Sequence, residues 1–155
     1  MIINNYNNAM KKLLLISFVV FSQINLSSAD FVVKMLNQSS TGVMVFEPAV
    51  LEIEVGDTVT FQSTDAAHNS ASIPGMIPAG ASAWNGQLSR DTTVTFDIPG
   101  IYGYQCTPHA MMAMVGVIKV GGDSSNKDSV QAAAKLYKST FVMNQTRLDD
   151  YLSKI

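Results

Sequence analysis

What the chain lacks narrows its chemistry first. Its 155 residues include a single Cys and only two His, and charged residues make up 14 % of the sequence. One Cys cannot close an intramolecular disulfide, so the stapled framework of small secreted domains is excluded and stability must come from a packed core. There is no basic excess either: the formal net charge is −2, which argues against a nucleic-acid partner, whose binding face needs a positive stripe. Nor is there an apolar run of the ~20 residues that a membrane span needs. The run Leu13 to Phe21 has nine.

What is present begins with a leader. Lys11 and Lys12 precede that nine-residue run, and Ser27-Ser28-Ala29 supply small residues where a cleavage point falls. Residues 1–29 therefore read as a secretory signal peptide, removed on export to the periplasm, and Met10 would start the same leader by itself. Without it the chain carries net −4, unevenly spread: residues 30–122 carry −5 and residues 123–155 carry +1. At 47 % hydrophobic the remainder suffices for one compact domain. The exported compartment is oxidising, so an unpaired thiol there calls for a role.

From Asp30 to Val120 the pattern is all-β: short runs of Val, Ile, Phe and Thr broken by Gly, Pro and Asn. Val50 to Val55 alternates apolar with acidic residues, Gly56-Asp57 turns the chain, and Thr58 to Phe61 alternates again. Thr93 to Phe96, Phe31 to Leu36, Val43 to Phe46, Ile101 to Cys106 and Val115 to Val120 are further strands, while Asp65 to Leu88 reads as a long irregular connection. Seven to eight such strands predict a Greek-key β-sandwich over residues 30–122. After Gly121-Gly122 the pattern turns helical. Ser125 and Asp128 form an expected capping pair ahead of a helix over Val130 to Lys138, and Leu148, Tyr151, Leu152 and Ile155 mark a second. Neither is long enough to hold a core alone, so residues 123–155 are expected to pack on the sandwich.

The chemistry lies in the sparse residues. Cys106, Pro108 and His109, followed by a choice among Met111, Met112 and Met114, fall between two strands, and the other His, His68, sits in the irregular connection. A thiolate, two imidazoles and a thioether match the ligands of a blue copper electron-transfer site. Pro108 stiffens the turn and removes an amide that would need a partner. Structural zinc would want a second Cys or His pair, which the chain lacks. A Cys–His nucleophile would want a third orienting group, and none is evident.

Phe46-Glu47-Pro48, Val55 to Phe61, His68-Asn69, Met76-Ile77-Pro78 and Tyr104 to His109 running through Met114 to Ile118 together resemble the pseudoazurins, a branch of the cupredoxins. The resemblance covers about Phe31 to Gly122, and the two helices beyond match that branch. It implies one type 1 copper on His68, Cys106, His109 and Met114. It also implies that Asn69 braces the ligand loops and gives the thiolate a backbone donor. His109 would be the electron port, in an apolar patch for which Met44, Pro78 and Met112 are candidates.

The expected function is thus single-electron shuttling between redox proteins, as a carrier and not an enzyme. The implied partners are nitrite reductase or a c-type cytochrome, met by a monomer in weak encounters. Copper storage or delivery is the alternative. One departure bears on docking: where such proteins carry lysines, Ser82 to Arg90 offers only Arg90. Association is therefore expected to depend weakly on salt, or to rest on apolar contact around Trp84 and the His109 patch.

Overall fold

The computed structural model describes residues 27–155, so the expected signal peptide, apart from its last three residues, lies outside the described residues. Eight strands follow: β1 (Asp30–Ser39), β2 (Gly42–Glu47), β3 (Val50–Ile53), β4 (Thr58–Gln62), β5 (Ala71–Ser72), β6 (Thr92–Thr95), β7 (Gly100–Gln105) and β8 (Val115–Val120). They form two four-stranded sheets, ordered β2-β1-β4-β6 and β3-β8-β7-β5. The first sheet pairs β1 with β4 in parallel, and the second pairs β3 with β8 in parallel. The expected all-β sandwich is what the chain forms.

The turn at Gly56-Asp57 makes no hairpin. It carries the chain from one sheet to the other, β3 lying in the second and β4 in the first. Gly56 has φ +93°, a conformation that costs a glycine little, and its amide donates to Phe96 O at 2.9 Å. The buried Asp57 carboxylate holds the crossing by accepting from the amides of Ala29 (2.7 Å) and Glu54 (2.8 Å).

The second sheet is covered on both faces, which is why β7 and β8 read as nearly continuous apolar runs. Tyr102, Tyr104, Cys106, Ile118 and Val120 point inward, into a core shared with Phe46, Phe61 and Phe96. Ile101, Val115 and Val117 point outward, under Val130, Ala134, Leu148 and Leu152 of the helices α1 (Lys127–Tyr137) and α2 (Arg147–Leu152). Gly116 allows the inner core to close: a Cβ there would lie 2.2 Å from the Tyr104 ring and 2.6 Å from Ala49 O.

α1 begins differently from the sequence expectation. Ser125 caps nothing and is tied to Asp123, its amide at 2.7 Å and its hydroxyl at 2.9 Å from the two carboxylate oxygens. Asn126 occupies the cap position, but its side chain is committed to β7: Oδ1 accepts from the Ile101 amide and Nδ2 donates to the Ile101 carbonyl, each at 2.9 Å. Farther along β7, Ile73 N donates to Gly103 O (2.9 Å) and Gly103 N to Met76 O (2.7 Å). The connection read as irregular thus supplies β5 and then edges β7. α2 is shorter than its apolar spacing suggested, ending at Leu152, with Ile155 half-buried beyond it.

Candidate metal centre

Two connections at one end of the sandwich carry the donors. β7 ends at Gln105, so Cys106 enters from the inner core, fully buried. A 3₁₀ turn over Thr107–Met112 follows, where a plain loop was expected. Pro108 sits in its first turn, where a missing amide costs nothing, and is exposed. The turn brings His109 back over Cys106 and ends at Ala113, which takes a left-handed φ of +56°. Met114 then returns to the sheet, fully buried in the same core as Cys106. Its backbone closes the loop: Cys106 N donates to Met114 O at 2.9 Å and Met114 N to His109 O at 3.2 Å.

His68 arrives from the other connection. Its Nδ1 lies 3.6 Å from Cys106 Sγ and 3.1 Å from His109 Nδ1, and His109 Nδ1 lies 3.4 Å from the sulfur. The three donor atoms all fall within 4.8 Å of one another. His68 is fully buried, and its Nε2 donates to Asn37 Oδ1 at 3.0 Å, which leaves Nδ1 without a proton. A bare imidazole nitrogen converging with a second imidazole and a thiol offers a good set of lone pairs for one soft cation. A thiolate with two imidazoles is what copper takes in trigonal sites.

The local electrostatics agree. Burial holds the His68 imidazole below its ordinary pKa, aided by His109 and opposed by Asp65, which favours the neutral ring that a ligand needs. Burial also pushes the Cys106 thiol up, while the backbone amides of Asn69 and His109 pull it down by hydrogen-bonding the sulfur.

Asn69 ties the two connections together. Its Oδ1 accepts from Thr107 N at 2.8 Å, and its Nδ2 donates to Gly86 O (3.0 Å), Asn85 Oδ1 and Thr107 Oγ1 (both 3.2 Å). Of the candidates for an apolar rim, Met44 and Met112 are half-buried, but Pro78 is buried against Gly100, at the far end of β7 from Cys106. The exposed apolar groups near the turn are Met111 and Val142, at 57 % and 65 %, joined by a bond from Val142 N to Met111 O of 2.8 Å. Trp84 is no free docking ring. It is half-buried, stacked on Phe61 at 6.0 Å and edge-on to Phe96, with its indole N–H given to Ser70 Oγ at 3.0 Å.

Sequence reasoning missed Asn37 and Arg147. Asn37 is an exposed polar residue near the end of a long strand, with no spacing that marks it. Arg147 left a signal, a cation beside Leu148 on the face that the helix turns inward.

Known proteins resemble this chain in sequence and fold. Residues 33–121 match the copper-binding proteins of the plastocyanin/azurin family. A pseudoazurin of Paracoccus pantotrophus is 36 % identical over 83 % of this chain and 85 % of its own length. The crystal structures of pseudoazurins from Methylobacterium extorquens AM1 and Hyphomicrobium denitrificans superpose with TM-scores of 0.70 and 0.72. They are 37 % and 33 % identical to this chain, each covering 81 % of it and 98 % of their own length.

Proposed function

Since the chain belongs to the pseudoazurins, within the plastocyanin/azurin family, and takes one type 1 copper, we propose that it carries single electrons between exported redox proteins. His68 Nδ1, Cys106 Sγ, His109 Nδ1 and the Met114 thioether would hold the metal in this reading. The observation that carries it is the convergence of three buried or half-buried donors within 4.8 Å. When bound, the metal supplies a one-electron couple.

The chain's own residues do the rest. Asn37 fixes the His68 tautomer, and Asn69 locks the two ligand connections together, so the donors need not rearrange when the charge at the site changes. The Asn69 and His109 amides stabilise charge on sulfur. His68 is closed off from solvent and His109 is half-exposed, so His109 is the port through which an electron enters and leaves. Met111 and Val142 give that port an apolar rim for a weak, short-lived encounter, of the kind that buries less than ~1,200 Å². Nitrite reductase and c-type cytochromes are the partners proposed. Residues 1–29 would direct export to the periplasm, and 30–155 would act there as a monomer. Storage or delivery of copper fits less well, because the donors lie in a preformed, largely buried cluster instead of on an exchangeable segment.

Adding Cu(II) to purified protein tests this directly. An intense blue colour that reductant bleaches reversibly, and that Cys106→Ser abolishes, is expected. Colourless binding that a chelator readily reverses would favour delivery instead.

A further inference from the structure

Arg147 is buried in α2, yet it forms no ion pair among the described residues. Its guanidinium is satisfied by backbone carbonyls alone. Nη1 donates to Met44 O at 2.9 Å and to Ala113 O at 3.0 Å, and Nη2 donates to Val43 O at 3.3 Å. The choice of acceptors is informative. Met44 and Ala113 are both non-glycine residues with left-handed backbone, at φ +48° and +56°. Such residues are strained and persist only where the surroundings hold them. A single nitrogen of Arg147 holds the carbonyls of both. Gly42 leaves room for this group: a Cβ there would come within 3.1 Å of Nη2.

Ala113 immediately precedes Met114, and the Ala113 conformation sets the direction in which the chain delivers that side chain. We propose that Arg147 is a positioning residue for the copper site, fixing the axial Met114 by pinning the strained Ala113 peptide to β2. The inference rests on Met114 being the axial ligand. The planar guanidinium, with Nη1 on two carbonyls and Nη2 on a third, is a rigid fork that an ammonium does not reproduce. The guanidinium also places a positive charge one peptide from the axial ligand, with no carboxylate in ion-pair contact with it among the described residues. Removing that charge favours the oxidised, more positive state of the site.

The test uses the copper-loaded full chain in four variants: Arg147→Gln, Arg147→Lys, Leu152→Ala and Met114→Gln. The readouts are the ratio of the two thiolate-to-copper charge-transfer bands, the reduction equilibrium against a fixed mediator, and the melting temperature of the metal-free protein. Arg147→Gln is expected to change the band ratio and to shift the reduction equilibrium about tenfold toward the oxidised form. Arg147→Lys should restore most of the equilibrium shift but not the band ratio, since it returns the charge without the fork. Leu152→Ala loosens the same helix without touching the carbonyls, so it should lower the melting temperature and leave both copper readouts unchanged.

If Arg147→Gln behaves like Leu152→Ala, or if Leu152→Ala moves the bands as much, Arg147 is only a packing contact and the inference is overturned. If Arg147→Gln does not fold, the band ratio of Arg147→Lys decides alone. Met114→Gln separates the two levels of argument: an unchanged spectrum there overturns the axial assignment itself, whereas a changed one with inert Arg147 variants overturns only the role of Arg147.

Discussion

The two faces of the β3-β8-β7-β5 sheet are both covered but built to different ends. The inner face is aromatic: Tyr104 lies edge-on to Phe46 at 4.8 Å and tilted to Phe61 at 5.0 Å, and Phe96 meets Tyr102 at 5.0 Å. Cys106 and Met114 close this layer at one end. The outer face is mostly aliphatic and owes its cover to the last 33 residues of the chain. Rings that interlock leave few alternative arrangements, so the inner face can hold ligand atoms in fixed places. The outer face mainly adds burial, and it reaches the ligand turn through polar anchors: Arg147, the Val142 amide and the Asn144 carboxamide on Met112 O at 3.2 Å.

The contrast is easiest to break at glycine. Gly116→Ala should cost at least the ~3 kcal/mol that marks the upper range of overpacking, because its Cβ would meet an immobile ring and a backbone oxygen. Chemical denaturation of the metal-free protein measures it. On the outer side Gly103→Ala presses on Met76, with Cε 2.5 Å and Cβ 3.0 Å away, and should cost less, about 2 kcal/mol, because the end of that side chain can shift; equal costs would mean that the two faces are equally rigid. Val130→Ala, on the buried face of α1, should lose about 2 kcal/mol while leaving the copper spectrum unchanged. A spectral change would show that the outer layer shapes the site by packing as well as through its polar anchors.

Alkaline pH gives a smaller effect. Burial raises the Tyr137 hydroxyl from its ordinary 10.0 to about 12, with help from nearby Cys106, and the hydroxyl donates to Gln105 Oε1. Between those values the unfolded chain releases this proton and the folded chain keeps it, so stability falls as pH rises from 10 to 12. Tyr137→Phe should flatten that fall by one proton's share, leaving the contributions of Tyr102, Tyr104 and Tyr151, which burial also raises. Stability measured at several pH values in both proteins checks it. The smallest expected effect is that of salt on electron-transfer rate. The region 30–122 carries only Lys34, Arg90 and Lys119 as cations, so added salt should change the rate less than twofold, and a steep decline in stopped-flow traces would restore electrostatic steering.

Much of the donor cluster was legible because its residue types are scarce. With one Cys and two His in the chain, their place in connections next to strand ends already suggested one centre, and the resemblance singled out Met114. The strands were legible from alternation and branched residues. Which sheet each strand joins was not, since a period of two says which residues share a face and nothing about partners; hence the turn at Gly56-Asp57 looked local but crosses the sandwich. Polar side chains were least legible. Ser125 has the right spacing for a cap, but Asp123 takes it, and the helix start goes to an Asn whose side chain is used 25 residues away. Asn37 and Arg147 act on groups distant in sequence, and no local pattern encodes that.

That same Asn126 has a consequence for the molecule in a crowd. β5 covers only Tyr104 and Gln105 of β7, which would leave the Gly100 to Gly103 stretch as an open edge onto which another copy could add a strand. The carboxamide of Asn126 occupies both hydrogen-bonding groups of Ile101, and the Ile73 to Met76 segment occupies those of Gly103. One side chain thus imitates the missing neighbour strand for a single residue and ends the sheet there. The chain is thereby protected from adding a strand of a second copy along that edge.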